Sequence, residues 1–478
     1  MTRRLQTAEP KLILVAAAVV AVLATVAVVL LLNPTEMVED SEVSFKAADA
    51  LDVIRVFITN QAGTLDIAFT GEGYRVDDIP ADVVDVKKLI DLLSTCSTVY
   101  ALRTVASAPQ DLDAYGLAEP AAWVEIIYAD ESALTLLIGD EERVTGDTYF
   151  SVKGDPAVYL MTAERSAGFL LPKKAYVEAQ VTPELVLSSP LSALLDVTFV
   201  GGRLAEPITV EAVATRDPDV VRAAISFGAA THIVRSTGIY ELDQTYAVEM
   251  MGPLLGITAY DIVAYGLTPR EIMAFGFNRP TIQVAFDLKN GIDVEVQHYV
   301  LAVLAKDGAF YMTCNDRGVI YAVPEPAFLQ IEYSKLAVRW FLSPFLMDVR
   351  AIELTTEGKD HNFVITGETN AETQVTYNGK EMDVGRFRTL YGLLTSAAHD
   401  GRLLEDIEVE GAPLLRLTYH YVDKEKQPDT MELYPGDTRR VYVRVNGVTE
   451  LAMKETYLVH VQDALSILGT DDPIETDW

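Results

Sequence analysis

The amino-acid sequence predicts an α+β chain in which three tandem modules, each a mainly antiparallel sheet with one covering helix, follow an N-terminal transmembrane helix. Three observations lead there. A hairpin pattern is written three times, a glycine-to-proline lead-in precedes a strand three times, and a helical stretch lies upstream of each lead-in. Hydrophobic residues make up 50% of the 478 and aromatics 9%, which suits packed cores and a chain of several domains.

The first element is the run from Leu12 to Leu32, apolar or threonine throughout and free of charge. As a helix it would be about 31 Å long, enough to cross the hydrocarbon layer of a bilayer. The run ends in Val28-Val29-Leu30-Leu31-Leu32 and then Asn33-Pro34, with no small-residue cleavage site, so it is expected to remain as an anchor. Arg3, Arg4 and Lys11 precede it and Glu36, Glu39 and Asp40 follow it. That asymmetry places residues 1–11 in the cytoplasm, the anchor at 12–32, and everything from the linker 33–49 onward outside the cytoplasm.

The hairpins are Tyr149 to Leu160, Phe310 to Val323 and Val441 to Met453. Each is a β-branched and aromatic run, a turn of Gly, Asn or Asp, and a second apolar run. Asn446-Gly447 is the strongest turn signal, because both residues tolerate a positive φ. The lead-ins are Tyr115-Gly116-Leu117-Ala118-Glu119-Pro120, Phe275-Gly276-Phe277-Asn278-Arg279-Pro280 and Gly411-Ala412-Pro413. A proline just before a strand removes no ladder hydrogen bond, and the glycine permits a sharp turn into it. Ala264-Tyr265-Gly266-Leu267-Thr268-Pro269 looks similar, but no strand pattern follows it.

Helices are expected upstream. Val83, Val86, Ile90 and Leu93 recur at helical spacing with Asp82 as the N-cap, and Val384, Phe387, Leu390 and Leu394 do so with Asp383 as theirs. The middle helix, near Gln244 to Ile257, should stop or kink at Gly252-Pro253. Ser188-Ser189-Pro190 and Ser343-Pro344 break the pattern, giving modules at 50–187, 188–345 and 346–470 and an acidic tail at 471–478.

Several of these residues together resemble a family known as domain of unknown function 4340. They are the Ile54-to-Ile58 strand, Tyr74, the Asp82-to-Leu93 helix, Tyr115-Gly116-Leu117 with Pro120, Leu136-Leu137-Ile138-Gly139 and the Tyr149-to-Leu160 hairpin. Tyr74 stands where the family pattern suggests Trp, and the resemblance covers about residues 50–185, with looser copies later. It implies a single-span exported protein serving as an accessory subunit beside an ABC-type exporter permease or another envelope component. It carries over no catalytic residue.

Net charge is −32; residues 1–11 carry Arg3, Arg4, Lys11 and Glu9, a net +2, which leaves −34 for the rest. Such a surface repels nucleic acid and anionic headgroups, so no nucleic-acid partner is expected. The cysteines, Cys96 and Cys314, read as small buried apolar residues rather than a bridge. The sequence contains no Gly-x-Ser-x-Gly, Ser-x-x-Lys, His-Glu-x-x-His, Cys-x-x-Cys or Gly-x-x-x-x-Gly-Lys motif. The six histidines, at 232, 298, 361, 399, 420 and 460, are scattered, and Asp77-Asp78, Glu141-Glu142 and Asp471-Asp472 sit in expected turns or the tail. No catalytic, cofactor-binding or metal-binding residue is therefore assigned, and no cofactor is expected. Trp340-Phe341 with Phe345 is either an exposed patch for a membrane partner or packing between the second and third modules; packing is favoured. The expected function is that of a non-enzymatic, membrane-anchored, extracytoplasmic interaction protein. The alternative is a cell-envelope hydrolase whose site is assembled only in the fold.

Overall fold

A computed structural model describes residues 42–216, 231–236, 238–291, 294–402, 404 and 407–478. The expected anchor at 12–32 lies outside the described residues; within them no helix is long and apolar enough to cross a membrane. The chain divides into two compact units, one ending at Glu178 and the other running from Ala179 to Trp478.

In the first unit the elements are β1 (Val43–Ala47), β2 (Val53–Asn60), β3 (Gly63–Phe69), β4 (Tyr74–Val76), α1 (Val86–Ser97), β5 (Thr98–Ala101), β6 (Arg103–Ala106), β7 (Ala122–Tyr128), β8 (Ala133–Glu141), β9 (Thr148–Val152), β10 (Val158–Met161) and α2 (Ala163–Leu170). Eight strands form an antiparallel sheet in the order β4-β3-β2-β7-β8-β9-β10-β6, while β1 pairs with β5. Val56, Ile58, Leu65, Ile67, Val124, Ile126, Leu136 and Ile138 are buried at every second position, as a sheet with one covered face requires.

The second unit holds two sheets. The first is built from β11 (Leu194–Gly201), β12 (Ile208–Ala212), β13 (His232–Arg235), β14 (Ile239–Glu241), β15 (Asp261–Ala264), β16 (Ile282–Leu288), β17 (Gln297–Lys306), β18 (Ala309–Cys314) and β19 (Ile320–Val323), with α3 (Gln244–Met251), α4 (Pro269–Ile272) and α5 (Tyr333–Leu336). Its order is β14-β13-β12-β11-β16-β17-β18-β19-β15. The other comprises β20 (Val349–Thr356), β21 (Lys359–Thr366), β22 (Gln374–Tyr377), β23 (Lys380–Met382), β24 (Leu415–Tyr421), β25 (Asp429–Pro435), β26 (Arg440–Val445) and β27 (Val448–Lys454), with α6 (Val384–Leu394) and α7 (Thr456–Ser466). It is ordered β23-β22-β21-β20-β24-β25-β26-β27.

All three large sheets share one chain order. A meander runs outward from a first strand, a helix follows, and the chain returns to lay β7, β16 or β24 beside that first strand before a second meander runs the other way. A 3-10 turn precedes each first strand, at Ala50–Asp52, Pro190–Ala193 and Leu346–Asp348. One residue into each first strand the register slips by one, leaving Ile54, Leu195 and Arg350 unpaired in a bulge. The lead-in glycines Gly116, Gly276 and Gly411 have φ of 64°, 137° and 84°, values that side chains resist, and this is why glycine stands there. The aromatic before the glycine also has a matching role: Tyr115 meets Tyr149 and Phe275 meets Tyr311, both edge-on at 5.1 Å.

Three expectations are corrected. Asp82 does not cap the first helix; Ala81–Val83 is a 3-10 turn, and Asp85 accepts the Lys88 N–H at 3.0 Å to start α1. The core face consequently carries Leu89, Leu92, Leu93 and Cys96, while Val86 and Ile90 are 58% and 57% exposed. Both stripes are apolar in sequence, and the larger one buries more apolar area. Each sheet also has a further helix after its last strand, α2, α5 or α7, where one covering helix was expected. None of these starts with a side-chain cap bond: α5 and α7 have glutamates at the N-cap, and Thr162 before α2 makes no cap bond.

Asp383 does cap α6, accepting the Arg386 N–H at 2.7 Å, and α3 stops at Gly252 as expected. Thr268 caps the short α4, so no strand follows Tyr265-Gly266. Asn446 and Gly447 turn β26 into β27 with φ of 49° and 88°. Cys96 and Cys314 are buried free thiols.

Candidate functional site

Glu450 is a buried carboxylate inside a strand. It lies in β27, in the run Val448-Thr449-Glu450-Leu451-Ala452-Met453. The pairing of β26 with β27 passes from Arg444 and Thr449 to Val443 and Leu451, so Glu450 is the extra residue of a bulge. A bulge re-aims the side chain it carries, and Glu450 is only 4% exposed. Its main-chain carbonyl accepts the Leu404 N–H at 2.9 Å.

A buried carboxylate needs hydrogen-bond donors. The Tyr333 hydroxyl, from α5, donates to Glu450 Oε1 at 3.0 Å and lies 3.3 Å from the Gly238 carbonyl oxygen. The Tyr240 ring packs edge-on against Tyr333 with centroids 6.3 Å apart. Burial, and then the Glu450 charge, raise both phenols well above the usual tyrosine range, so both stay protonated donors. Gly238 makes the arrangement possible: a Cβ there would sit 2.4 Å from Glu450 Oε1 and 2.7 Å from the Tyr240 ring.

Glu450 and Tyr333 line a groove of about 880 Å³ between the two sheets of the second unit. Arg203, Glu206, Glu332 and Glu408 line it too. Glu332 is answered by Lys335 at 2.9 Å. One wall is the stretch after α6, which runs along β27 through Asp400 N–H to Ala452 O at 3.0 Å and Leu404 N–H to Glu450 O at 2.9 Å. His399 holds the start of that wall. Its Nδ1 accepts the Gly401 N–H at 3.1 Å and its Nε2 donates to the Val338 carbonyl at 3.2 Å, which defines the neutral tautomer.

The histidines and acidic pairs noted in the sequence do not converge. His232 bonds the Leu194 carbonyl, His298 pairs with Asp287, His361 with the Tyr377 hydroxyl and His420 with Glu353, while His460 is half-buried on α7. Among the described residues no three or more His, Cys, Asp or Glu side chains gather where they could hold a metal. Asp77 and Asp78 both meet Lys173, at 3.3 and 2.9 Å, and Glu142 accepts the turn N–H groups of Val144 and Thr145. In the aromatic patch Phe341 is buried, edge-on to His399, and its N–H bonds the Ala397 carbonyl, so it ties the segment after α5 to the segment after α6; Trp340 and Phe345 are exposed. Sequence reasoning missed Glu450. The available signal was a charge beside the apolar run Leu451-Ala452-Met453 of one strand.

By fold, these are antiparallel sheets covered by helices, and the site is a groove between two of them. Residues 76–184 match the family model described as Domain of unknown function (DUF4340), so the chain carries a DUF4340 domain there. The match includes α1, the Tyr115-Gly116 lead-in and the Tyr149-to-Leu160 hairpin. No curated protein and no solved structure matches the chain.

Proposed function

We propose that this chain is a membrane-anchored extracytoplasmic interaction protein, three copies of one module held by the helix at 12–32, which binds a permease or another envelope component. The observation that carries the reading is what the three sheets have in common. The bulge, the 3-10 turn and the lead-in glycine recur in all three, and the aromatic pair recurs in the first two. These are devices of folding, so multiplying the module multiplied scaffold, and the groove is built from residues that do not repeat. The sequence resemblance adds an associational argument for a transporter partner.

Co-purification of the full chain in mild detergent tests the reading. A membrane permease or envelope protein at near-stoichiometric yield is expected; a chain that purifies alone under several detergents overturns it. The hydrolase alternative has one foothold, since Glu450 is a buried carboxylate that lines a cleft. Turnover of a cell-wall polymer that disappears in Glu450→Gln would establish it instead.

A further inference from the structure

We infer that the outer edge of β23, with the Asp383 N–H beside it, is a docking edge that takes an extended segment of the partner as one further strand of the third sheet. This rests on the interaction reading above and names the surface and the main-chain chemistry of the contact.

The first two sheets show what covers such an edge. In each, the chain leaves the helix after the last strand and lies antiparallel against the residue that precedes an aspartate N-cap. Val177 pairs with Val84, through the Asp85 N–H to the Tyr176 carbonyl at 2.8 Å and the Glu178 N–H to the Val83 carbonyl at 2.8 Å. Ala337 pairs with Leu242 in the same way, through the Asp243 N–H to the Leu336 carbonyl at 2.7 Å and the Val338 N–H to the Glu241 carbonyl at 2.8 Å. Val84, Asp85 and Leu242 are buried under these clasps.

The third sheet has the same aspartate and lacks the clasp. Asp383 caps α6 as Asp85 caps α1 and Asp243 caps α3, so Met382 stands where Val84 and Leu242 stand. Met382 pairs with Val375 on one side, and β23 is the last strand of its sheet. Among the described residues nothing pairs with its other side, and no main-chain carbonyl accepts the Asp383 N–H. Glu381 and Asp383 are exposed, whereas Asp85 is only 8% exposed. The residues after α7 run elsewhere. Arg386 donates to the Ile467 and Asp472 carbonyls at 2.5 and 2.9 Å, and Trp478 Nε1 donates to Ser396 Oγ at 2.8 Å, so they follow α6 from its first turn to just beyond its end.

The occupant is a segment of the partner and not a second copy. The clasps of another copy are engaged within their own sheets, and an edge of three residues bearing Lys380 and Glu381 resists pairing with itself. In strand addition the main chain supplies affinity and alternate side chains supply specificity. The clasps indicate those side chains: a large apolar residue, Tyr176 or Leu336, then a smaller aliphatic one, Val177 or Ala337, all four buried.

The probe is the peptide Lys-Lys-Ala-Tyr-Val-Glu-Ala, the sequence of residues 173–179, titrated against the detergent-solubilised full chain. Without peptide, the Asp383 amide should exchange its hydrogen at least about tenfold faster than those of Asp85 and Asp243, and peptide should slow it. Asp383→Pro removes the N–H at a φ of −60° that proline adopts, and Asp383→Ala removes the same cap but keeps the N–H. Asp383→Pro should weaken peptide binding about fivefold or more, and Asp383→Ala less than about twofold. A peptide N-methylated at its Glu amide should bind the parent chain about fivefold more weakly. Denaturation midpoints check that both variants fold.

An Asp383 amide as slow as the other two overturns the assignment, as do equal losses in the proline and alanine variants, undiminished binding of the N-methylated peptide, or no binding at about 1 mM peptide. The two readings fail separately. A co-purifying partner retained undiminished by Asp383→Pro refutes the docking edge and leaves the interaction reading intact. Peptide binding that depends on the Asp383 N–H, in a chain that recovers no partner, supports the edge chemistry and refutes the partner reading.

Discussion

At the scale of single residues, the second unit depends on a few groups whose protonation and size are set by burial. His399 is the clearest. Burial lowers its pKa below the ordinary histidine value, and protonating Nδ1 would break its bond from Gly401. The unfolded chain takes up that proton near the ordinary histidine value of about 6.5, whereas the folded chain resists until lower pH. Below about 6.5 the unfolded state binds more protons, so stability is full above that pH and falls as pH drops toward the folded pKa. His361 is shifted in the same direction, mainly by burial, and contributes with the same sign. A urea midpoint that declines from pH 7.5 to 5.5, with a shallower decline in His399→Gln, is the expected outcome. An unchanged slope in that variant would remove His399 from the account.

Elements are decided by competition between faces. In α1, six apolar residues fall on two stripes, and the one with Leu89, Leu92, Leu93 and Cys96 faces the core. Leu92→Ala should therefore cost about 2–5 kcal/mol of stability. Val86→Ser and Ile90→Ser, on the exposed stripe, should each change it by less than about 0.5 kcal/mol. Equilibrium denaturation of the three variants checks both statements, and a large loss in Val86→Ser would mean that the stripes are assigned the wrong way round. The helix period was legible here, and so was the apolar content. The phase was not, because a cap at Asp82 or at Asp85 leaves the spacing of the apolar residues unchanged, and only the sheet beneath chooses between stripes. For α2, α5 and α7 the difficulty is different. They begin without a side-chain cap bond, and their stability comes from packing against α1, α3 or α6 and the sheet.

For the whole molecule, the proposed placement rests on the charge asymmetry around residues 12–32 and the absence of a cleavage site there. We expect protease added to intact protoplasts to digest residues from about 36 onward, and N-terminal sequencing of the purified chain to read from near Met1. A mature N-terminus beyond Leu32 would replace the anchor with a cleaved signal. The acidic balance of −34 beyond residue 11 belongs to the same scale, since it sets which partners can approach before any groove is reached.

The amino-acid sequence by itself determined the antiparallel α+β class, the three hairpins, the Asn446-Gly447 turn, the glycine-to-proline lead-ins and the DUF4340 stretch. These are local properties: a strand alternates every two residues, a positive φ selects glycine or asparagine, and a proline excludes the ladder. The tertiary structure alone decided that Glu450 turns inward, because a one-residue bulge reverses the face of a side chain without altering the alternation read along the strand. It also decided that Gly238, Tyr240 and Tyr333, more than a hundred residues upstream of Glu450, surround that carboxylate. A hydrogen bond across 117 residues has no spacing rule to reveal it, because the intervening chain folds into a sheet of its own before the two groups meet.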